Sequence, residues 1–400
     1  MKLKNKILSI AALSVLTQSV NAVPFTFEGR SLAMGGVSVA TADLATAAWA
    51  NPAMLTNQRP NDDFSLLIGI GAFVRDNDDL ISDIDDFQDA DENRDLAESS
   101  GDVLGEAAAL LEMRSIIRGI ESKVIAPEAS GVAAMGIAFD SFAMALSVRS
   151  DAIAGGVVTN LSCDLLTSDV CDPNELLSEN FNILNIEGVL ATEFGVSFAK
   201  KFSILDRKVS IGVKPKIVDL RSFTFSESIL TASAGFENIS DDENEKDLGT
   251  FSTVDLGLAV DLTRSIRLGL NVRNLVTDEF EVGNQTLNFD TTMRIGVAYR
   301  NQFLTVAADY DLIENEPLLA NNAFDGLKTQ YLALGAEFNT FDFMQLRIGA
   351  SQNLASNISG GAKDTLYTAG VGLWLGFNLD ISATVTDNSV GGFVQTGFRF

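Results

Sequence analysis

The side chains that could do chemistry in this 400-residue chain are mainly acidic, with 54 Asp and Glu against 28 Lys and Arg and no histidine. The absence of histidine excludes Ser-His-Asp and Cys-His nucleophilic sites, together with histidine-ligated zinc and haem. The net charge of −26 argues against nucleic acid as a partner, because phosphate binding depends on clustered Lys and Arg. We therefore predict that the protein is not an enzyme and has no catalytic residues and no cofactor.

The densest acidic tract is a candidate cation site, with eleven Asp and Glu between Asp76 and Glu98. The run that begins at Asp89 starts like an EF-hand calcium loop. Its sixth position is Arg94, where Gly is required, and its twelfth is Ser100, where Glu is required, so we predict no metal site. A solvated acidic surface is the favoured interpretation, and loose binding of divalent cations that bridge it to lipopolysaccharide is the alternative.

The N-terminus predicts export. Lys2, Lys4 and Lys6 precede an apolar run at 7–16, and Val20-Asn21-Ala22 ends in the small residue that signal peptidase prefers. An uncleaved membrane anchor is the alternative, but this apolar run is too short to span about 30 Å of hydrocarbon. We predict a signal peptide at 1–22.

Cys163 and Cys171 are the only cysteines, and both fall in a predicted loop of an exported chain. Their spacing differs from the C-x-x-C pattern of redox proteins, so redox activity is not expected. We predict that they form a structural disulfide, which would contribute about 2–3 kcal/mol.

The elements that position these residues are predicted by alternation of apolar and polar residues from about residue 185 onwards. Val254, Leu256 and Leu258, for example, alternate with Asp255 and Gly257. Such a pattern places apolar side chains on one face of a strand and polar or glycine residues on the other. A soluble β-sandwich would produce the same alternation.

Three features favour an outer-membrane barrel. The segments have roughly nine to thirteen residues, near the length of a tilted transmembrane strand. Tight turns alternate with long loops, as in barrels whose short turns face the periplasm. Phe398 and Phe400 end the chain in a pattern typical of the signal read by the outer-membrane assembly machinery. We predict an all-β fold, an antiparallel barrel of about fourteen strands over 64–400 in the outer membrane of a Gram-negative bacterium, with long acidic outer loops.

The predicted strands lie near 64–74, 131–139, 142–152, 185–200, 208–222, 251–262, 265–274, 290–300, 302–312, 327–338, 342–352, 365–375, 377–387 and 392–400. Between Val103 and Val124, apolar residues recur at helical spacing, which predicts an amphipathic helix in a loop. Capping of the barrel mouth is the favoured role for this helix, and a part in a hydrophobic gate or contact with a partner are the alternatives. Six basic residues cluster near the predicted periplasmic turns: Lys200, Lys201, Arg207, Lys208, Arg264 and Arg300.

Fourteen strands enclose a lumen too wide for the lining side chains to fill, so the lumen is either plugged or conducting. Alternation directs eight charged residues into it, and we predict that they pair with each other or contact a plug rather than catalyse a reaction. They are Asp255, Asp261, Arg267, Arg273, Arg294, Asp309, Glu337 and Arg347.

Residues 23–63 precede the first strand, do not alternate and are rich in small residues. Asn51-Pro52 is typical of a turn, because proline disfavours helix at the residue before it. A poorly ordered terminus is one interpretation. The apolar content and the paired Gly35 and Gly36 favour a segment packed against the barrel wall.

This segment carries a resemblance to a known family. Gly29-Arg30 followed by Met34-Gly35-Gly36, an alanine-rich stretch and then Asn51-Pro52-Ala53 resembles the FadL-type outer-membrane superfamily. Within it, 30–55 and the acidic residues that follow resemble most closely the conjugal transfer protein TraF family. The resemblance is specific over 24–90 and only architectural elsewhere.

The resemblance implies a barrel whose N-terminal segment, 23–63, forms a hatch in the lumen. In FadL-type transporters a hydrophobic small molecule is captured by the outer loops and leaves sideways through the wall. The residues that match the hatch motif are Gly29, Arg30, Gly35, Gly36, Asn51, Pro52 and Ala53.

Two functions are therefore predicted. The first is binding or passage of a hydrophobic small molecule across the outer membrane. The second is a scaffold or interaction role in that membrane, associated with conjugal transfer. The expected partners are outer-membrane lipid and lipopolysaccharide, the assembly machinery through Phe398 and Phe400, and either a hydrophobic ligand or conjugation proteins.

Overall fold

A computed structural model describes residues 28–58, 63–76, 79–120, 123–162, 172–232, 245–282, 285–315, 328–341, 343–356, 365–386 and 389–400. The predicted signal peptide at 1–22 and the predicted disulfide between Cys163 and Cys171 lie outside these residues.

The described residues form short helical turns near the N-terminus, two long helices and sixteen strands. The helices are α1 (Gly29–Leu32), α2 (Ala47–Ala50), a 3-10 helix (Pro52–Thr56), α3 (Leu80–Ser100), α4 (Val103–Ile120) and α5 (Pro173–Leu176). The strands are β1 (Phe64–Asp76), β2 (Val124–Ala138), β3 (Phe142–Thr159), β4 (Ile183–Ile204), β5 (Arg207–Ser228), β6 (Glu245–Asp261), β7 (Ile266–Arg273), β8 (Asp278–Val282), β9 (Gln285–Phe289), β10 (Thr292–Arg300), β11 (Leu304–Asp311), β12 (Tyr331–Phe341), β13 (Met344–Asn353), β14 (Leu366–Trp374), β15 (Asn378–Thr386) and β16 (Ser389–Arg399).

Fourteen of these strands, β1–β7 and β10–β16, close into one antiparallel barrel. Neighbours in the ring are neighbours in the chain, except that β7 pairs with β10 and β1 pairs with β16. The predicted fourteen-strand barrel is confirmed, and every predicted strand overlaps an observed one.

Alternate side chains face outward and inward, as the sequence pattern predicts. On β1, Ile68 and Ile70 are 53% and 64% exposed, whereas Leu67 and Phe73 are buried. A closed ring with an apolar outer face is the structure that lipid requires, because an open sheet edge would leave backbone groups without partners. Stacked aromatic pairs mark the rim where the strands are joined by short turns: Phe64–Phe400, Phe139–Phe142 and Phe341–Phe343.

The ring has two unequal sides. The tall wall, β2–β6, has strands of 15 to 22 residues, and the short wall, β7 and β10–β16, has strands of 8 to 11 residues. The extra length of β3, β4 and β5 lies mostly toward the rim with long loops. The predicted strands there were too short, because the alternation of apolar and polar residues weakens beyond Ser150 on β3.

The two long helices, α3 and α4, connect β1 to β2 on the long-loop rim. α4 matches the predicted amphipathic helix, but α3 corrects our prediction of an acidic loop. Its Leu80, Ile84 and Phe87 recur at helical spacing and are buried against α4 and the ends of nearby strands. Among the described residues, no helix is both long and apolar enough to cross a bilayer.

A second correction concerns 275–289, which lies between the predicted strands 265–274 and 290–300 and was therefore expected to be a loop. β8 and β9 pair there as an antiparallel hairpin outside the barrel sheet. The dipeptide Gly283-Asn284 between the two strands is a hairpin signal that sequence reasoning overlooked.

Candidate functional site

The N-terminal segment, residues 28–58, lies inside the ring of strands. It contacts inward-facing groups from β2 at Leu44 to β16 at Gly29, and Ala47, Asn51 and Leu55 have no exposed surface. The small residues that set this stretch apart in the sequence allow its backbone to approach the wall closely.

On the short wall, the segment is held by buried ion pairs. The guanidinium of Arg30 donates from Nε to Oε2 of Glu337 at 2.7 Å and from Nη2 to Oε1 at 3.1 Å. Arg347 donates to the same carboxylate at 2.9 Å and also pairs with Asp380. Each buried charge therefore has a partner, which is the condition for keeping charges out of water.

Backbone groups of the segment also donate to side chains of the short wall. Asp309 accepts hydrogen bonds from the backbone N–H groups of Ser38 at 2.7 Å and Val39 at 3.0 Å. Gly35 donates to the hydroxyl of Thr368 at 2.8 Å. Gly35 has a φ of +74°, and a Cβ there would lie 2.7 Å from two backbone carbonyls, so only glycine fits.

On the tall wall, the contacts are made by an amide and by close backbone packing. Asn51 donates from Nδ2 to the carbonyls of Val39 at 2.8 Å and Leu258 at 3.2 Å, and its Oδ1 accepts from Ala53 at 3.1 Å. A Cβ on the strand residue Gly212 would overlap the backbone of Pro52 and Ala53. The 3-10 helix thus packs directly against β5.

All seven residues of the predicted motif lie in the N-terminal segment inside the ring. Their backbone or side chains are buried, except for Gly36, which is partly buried and has a φ of +90° with open space at its Cβ position. The motif residues thus divide between the walls: Gly29, Arg30 and Gly35 contact the short wall, while Asn51, Pro52 and Ala53 contact the tall wall.

Glu28, at the start of α1, caps this helical turn. Its carboxylate accepts from the backbone N–H groups of Ser31 at 2.7 Å and Arg30 at 2.9 Å. Burial raises the pKa of Glu28 to about 7, despite the opposing influence of the nearby Arg30. The charge state of this end of the segment therefore changes near neutral pH.

The predicted lumen charges do pair: Arg267 with Asp261 at 2.6 Å and Arg294 with Asp311 at 2.9 Å. Our sequence reasoning placed Asp255 and Arg273 in the lumen but missed Glu193, Lys214 and Lys216, with which they form a larger cluster on the tall wall and the adjoining β7. Glu193 accepts from Lys214, from Lys216 at 2.7 Å and from Arg273 at 3.4 Å, and Lys216 also contacts Asp255 at 2.9 Å. Period-two spacing of Lys214 and Lys216 between apolar residues was the available signal. This part of the lumen presents ion pairs.

The hairpin of α3 and α4 carries apolar side chains in water. Leu96, Val103, Leu104 and Leu111 are 62%, 72%, 83% and 64% exposed. Leu104 and Leu111 lie on one face of α4, with the exposed Ala108 between them. We call these two leucines and Ala108 the α4 stripe. Exposed apolar stripes of this kind mark interaction or ligand-binding surfaces.

Comparisons with known proteins give one family and a set of similar folds. The family model described as "F plasmid transfer operon, TraF, protein" matches residues 48–311. No curated protein sequence matches this chain.

The similar solved structures are transport proteins. The Ralstonia pickettii toluene transporter TbuX has a TM-score of 0.53 and 14% identity, covering 94% of this chain and 99% of its own. The Pseudomonas putida toluene transporter TodX has a TM-score of 0.53 and 12% identity, covering 95% and 98%. A Pseudomonas aeruginosa FadL homologue has a TM-score of 0.54 and 11% identity, covering 95% and 99%. The fold of the whole barrel is therefore shared with these proteins.

Proposed function

The chain belongs to the F plasmid transfer operon TraF protein family, and from this premise we propose that it is an outer-membrane barrel that binds a hydrophobic small molecule and passes it across the membrane. The apolar outer face of the ring and the stacked Phe pairs at the short-turn rim support this location. In this proposal a cleaved signal peptide at 1–22 directs export, the short turns face the periplasm, and α3 and α4 face the outside.

We propose that the N-terminal segment is a hatch, formed around Gly29, Arg30, Gly35, Gly36, Asn51, Pro52 and Ala53. Its contacts with both walls support this role, because the segment fills the lumen beside the Glu193 cluster. An apolar molecule cannot enter that cluster without separating buried charges from their partners, which is costly. Passage therefore requires the hatch to move away from at least one wall.

The observation that most directly supports a hydrophobic ligand is the exposure of the α4 stripe. Leu104 and Leu111 remain exposed on the long-loop rim, although burying each would be favourable by about 1.5–3 kcal/mol. An apolar solute that reached the surface would gain this free energy by covering them. Toluene transporters and monoaromatic hydrocarbon channels are among the similar solved structures, which agrees with a small apolar ligand.

A second candidate is an interaction role in conjugal transfer. The family description favours it, and the α4 stripe would then contact another protein instead of a solute. An enzymatic role has no comparable support, because the similar structures are transport channels.

The two candidates separate in a binding experiment on the purified barrel. We would measure binding of radiolabelled toluene and of oleate by equilibrium dialysis, for the wild type and for Leu104→Ser combined with Leu111→Ser. Loss of about 1 kcal/mol per side chain predicts roughly tenfold or more weaker binding. Glu112→Gln, on the same helix but off the stripe, should bind like the wild type. Unchanged binding by the double variant would rule out the stripe as the ligand surface.

A further inference from the structure

The outward face of the tall wall has a feature that the proposed function does not use. An apolar trough with a volume of about 880 Å³ crosses β1–β6. We propose that it holds one anionic phospholipid of the periplasmic leaflet, with the acyl chains in the trough and the phosphate at Lys200. This proposal rests on the proposed bilayer placement but is independent of ligand passage.

The trough follows two neighbouring rows of side chains that lie directly opposite one another from strand to strand. The first row runs from Leu66 through Met135 and Leu146 toward β6. The second includes Phe194 and Ile217. These five residues face outward, and the floor of the trough is formed by buried residues of the alternate set, among them Ala134, Ser147, Lys216 and Thr253. The exposed sides of the trough therefore open to the hydrocarbon layer.

The trough coincides with small side chains toward the two ends of the second row and with an interruption of strand pairing in the first row. Ala133 and Ser252 provide little side-chain volume on β2 and β6. Between them, the pairing of β4 with β5 skips the residues around Pro215, which has no N–H to donate. A volume of about 880 Å³ lies within the usual range for small-molecule sites, roughly 300–1,000 Å³.

A cation stands at the short-turn end of the same face. Lys200 is exposed on β4, between the outward-facing Phe198 and Phe202, and its Nζ lies 5.6 Å from the centre of the Phe202 ring. Lys200 pairs in register with Phe142, one of the stacked rings of the rim, so it lies at the level of lipid headgroups. Arg207, also exposed, adds a second cation on the same hairpin.

Charge and distance both favour an anionic phospholipid as the occupant of the trough. Two exposed cations on one outer face are notable in a chain of net charge −26, and they complement a phosphate whose headgroup carries no compensating positive charge. Val196, in the first row of the trough, is four residues from Lys200 along β4, or roughly 13 Å. A glycerophosphate at Lys200 would therefore place its acyl chains along Phe198 and into the trough.

The test is lipid retention by the full barrel extracted in mild detergent. The protein is equilibrated with dioleoyl phosphatidylglycerol or dioleoyl phosphatidylethanolamine, and bound lipid is counted by native mass spectrometry. We expect the wild type to retain one phosphatidylglycerol at concentrations where phosphatidylethanolamine has been lost. Lys200→Gln should abolish this preference, whereas Arg300→Gln, on the same rim but on the short wall, should preserve it.

A second variant tests the trough itself. Ala133→Phe adds volume on the lipid-facing surface and should lower retention of both lipids, with the heat-modifiable gel shift of a folded barrel unchanged. Equal retention of the two lipids by the wild type, or an unchanged preference in Lys200→Gln, would overturn the proposal. Neither result would bear on ligand passage, because toluene and oleate binding at the α4 stripe is measured separately.

Discussion

The two walls of the barrel hold the N-terminal segment by different physical means. The short wall uses buried charge, with Arg30 between Glu337 and the backbone carbonyl of Thr41. The tall wall uses shape, because the 3-10 helix packs against Gly212. The side-chain amide of Asn51 adds hydrogen bonds to the carbonyls of Val39 in the segment and Leu258 in β6. Charged contacts respond to pH and fail completely when one partner is removed, whereas close backbone packing does neither. We therefore expect the two walls to release the segment under different perturbations.

The largest effect is expected on the short wall. Arg30→Ala leaves the carboxylate of Glu337 buried beside one cation instead of two, and removing one partner of a buried pair costs about 3–5 kcal/mol. Hydrogen exchange should show faster opening of residues 29–42, with the barrel strands unaffected. Arg94→Ala, which breaks only surface pairs on α3, is the matched control and should change little. Equal effects of the two variants would contradict the conclusion that the buried Arg30–Glu337 pair holds the segment on the short wall.

The corresponding change on the tall wall is Gly212→Val. The new side chain would meet the backbone of Pro52 and Ala53, which has little freedom to give way, so we expect a cost of about 3 kcal/mol. Displacement of the 3-10 helix should appear as higher ion conductance in planar bilayers. Gly131→Val is the control, because a Cβ at Gly131 meets nothing within 4 Å. Normal conductance for both variants would show that the tall wall does not seat the segment.

A pH effect should separate the walls further. The pKa of Glu28 is about 7 in the folded protein and near 4.5 when exposed, so the folded state retains the proton between these values. Its contribution to stability is complete below about pH 4.5 and is lost as the pH rises through 7, and it amounts to about 3 kcal/mol. Protection of 29–35 against hydrogen exchange, corrected for intrinsic rates, should fall over this range.

Glu28→Gln provides the check on that assignment. The amide oxygen can still accept from Ser31, but it does not titrate, so the protection of 29–35 should become independent of pH between 5 and 8. Persistence of the pH dependence in this variant would assign it to another group. Protection near Asn51 should be insensitive to pH in both proteins.

The smallest effect is expected for Asn51→Ala on the tall wall. The variant loses the hydrogen bonds to Val39 and Leu258, but the adjoining backbone packing remains, so we expect a loss of about 1.5 kcal/mol in the opening free energy of 47–56. Asn174→Ala, at an exposed position of α5, is the control. A loss as large as that of Arg30→Ala would mean that the amide, not packing, fastens the tall wall.

Sequence reasoning predicted the barrel well because strand alternation is a local property. The alternation of apolar and polar residues from Val254 to Leu258 can be seen without knowing which strands pair with this one. Helix α3 was missed for the opposite reason, since eleven carboxylates obscured the spacing of Leu80, Ile84 and Phe87. Local periodicity is thus informative only where composition does not hide it.

The contacts of the N-terminal segment were only partly predictable. Resemblance selected the residues of the motif, and alternation placed Glu337 in the lumen. That Arg30 pairs with Glu337, 307 positions away, depends on the register of the closed ring and on how the segment lies within it. The Glu193 cluster depends likewise on which strands adjoin, which alternation does not specify.

We propose that the protein captures a hydrophobic small molecule at the α4 stripe and passes it across the membrane when the hatch moves. The most direct test is a deletion strain complemented with the wild type or with Leu104→Ser and Leu111→Ser, scored in parallel for uptake of labelled oleate and toluene and for conjugal transfer. We predict that the double variant lowers uptake severalfold and leaves conjugal transfer at the wild-type frequency. Reduced transfer with normal uptake would contradict this account.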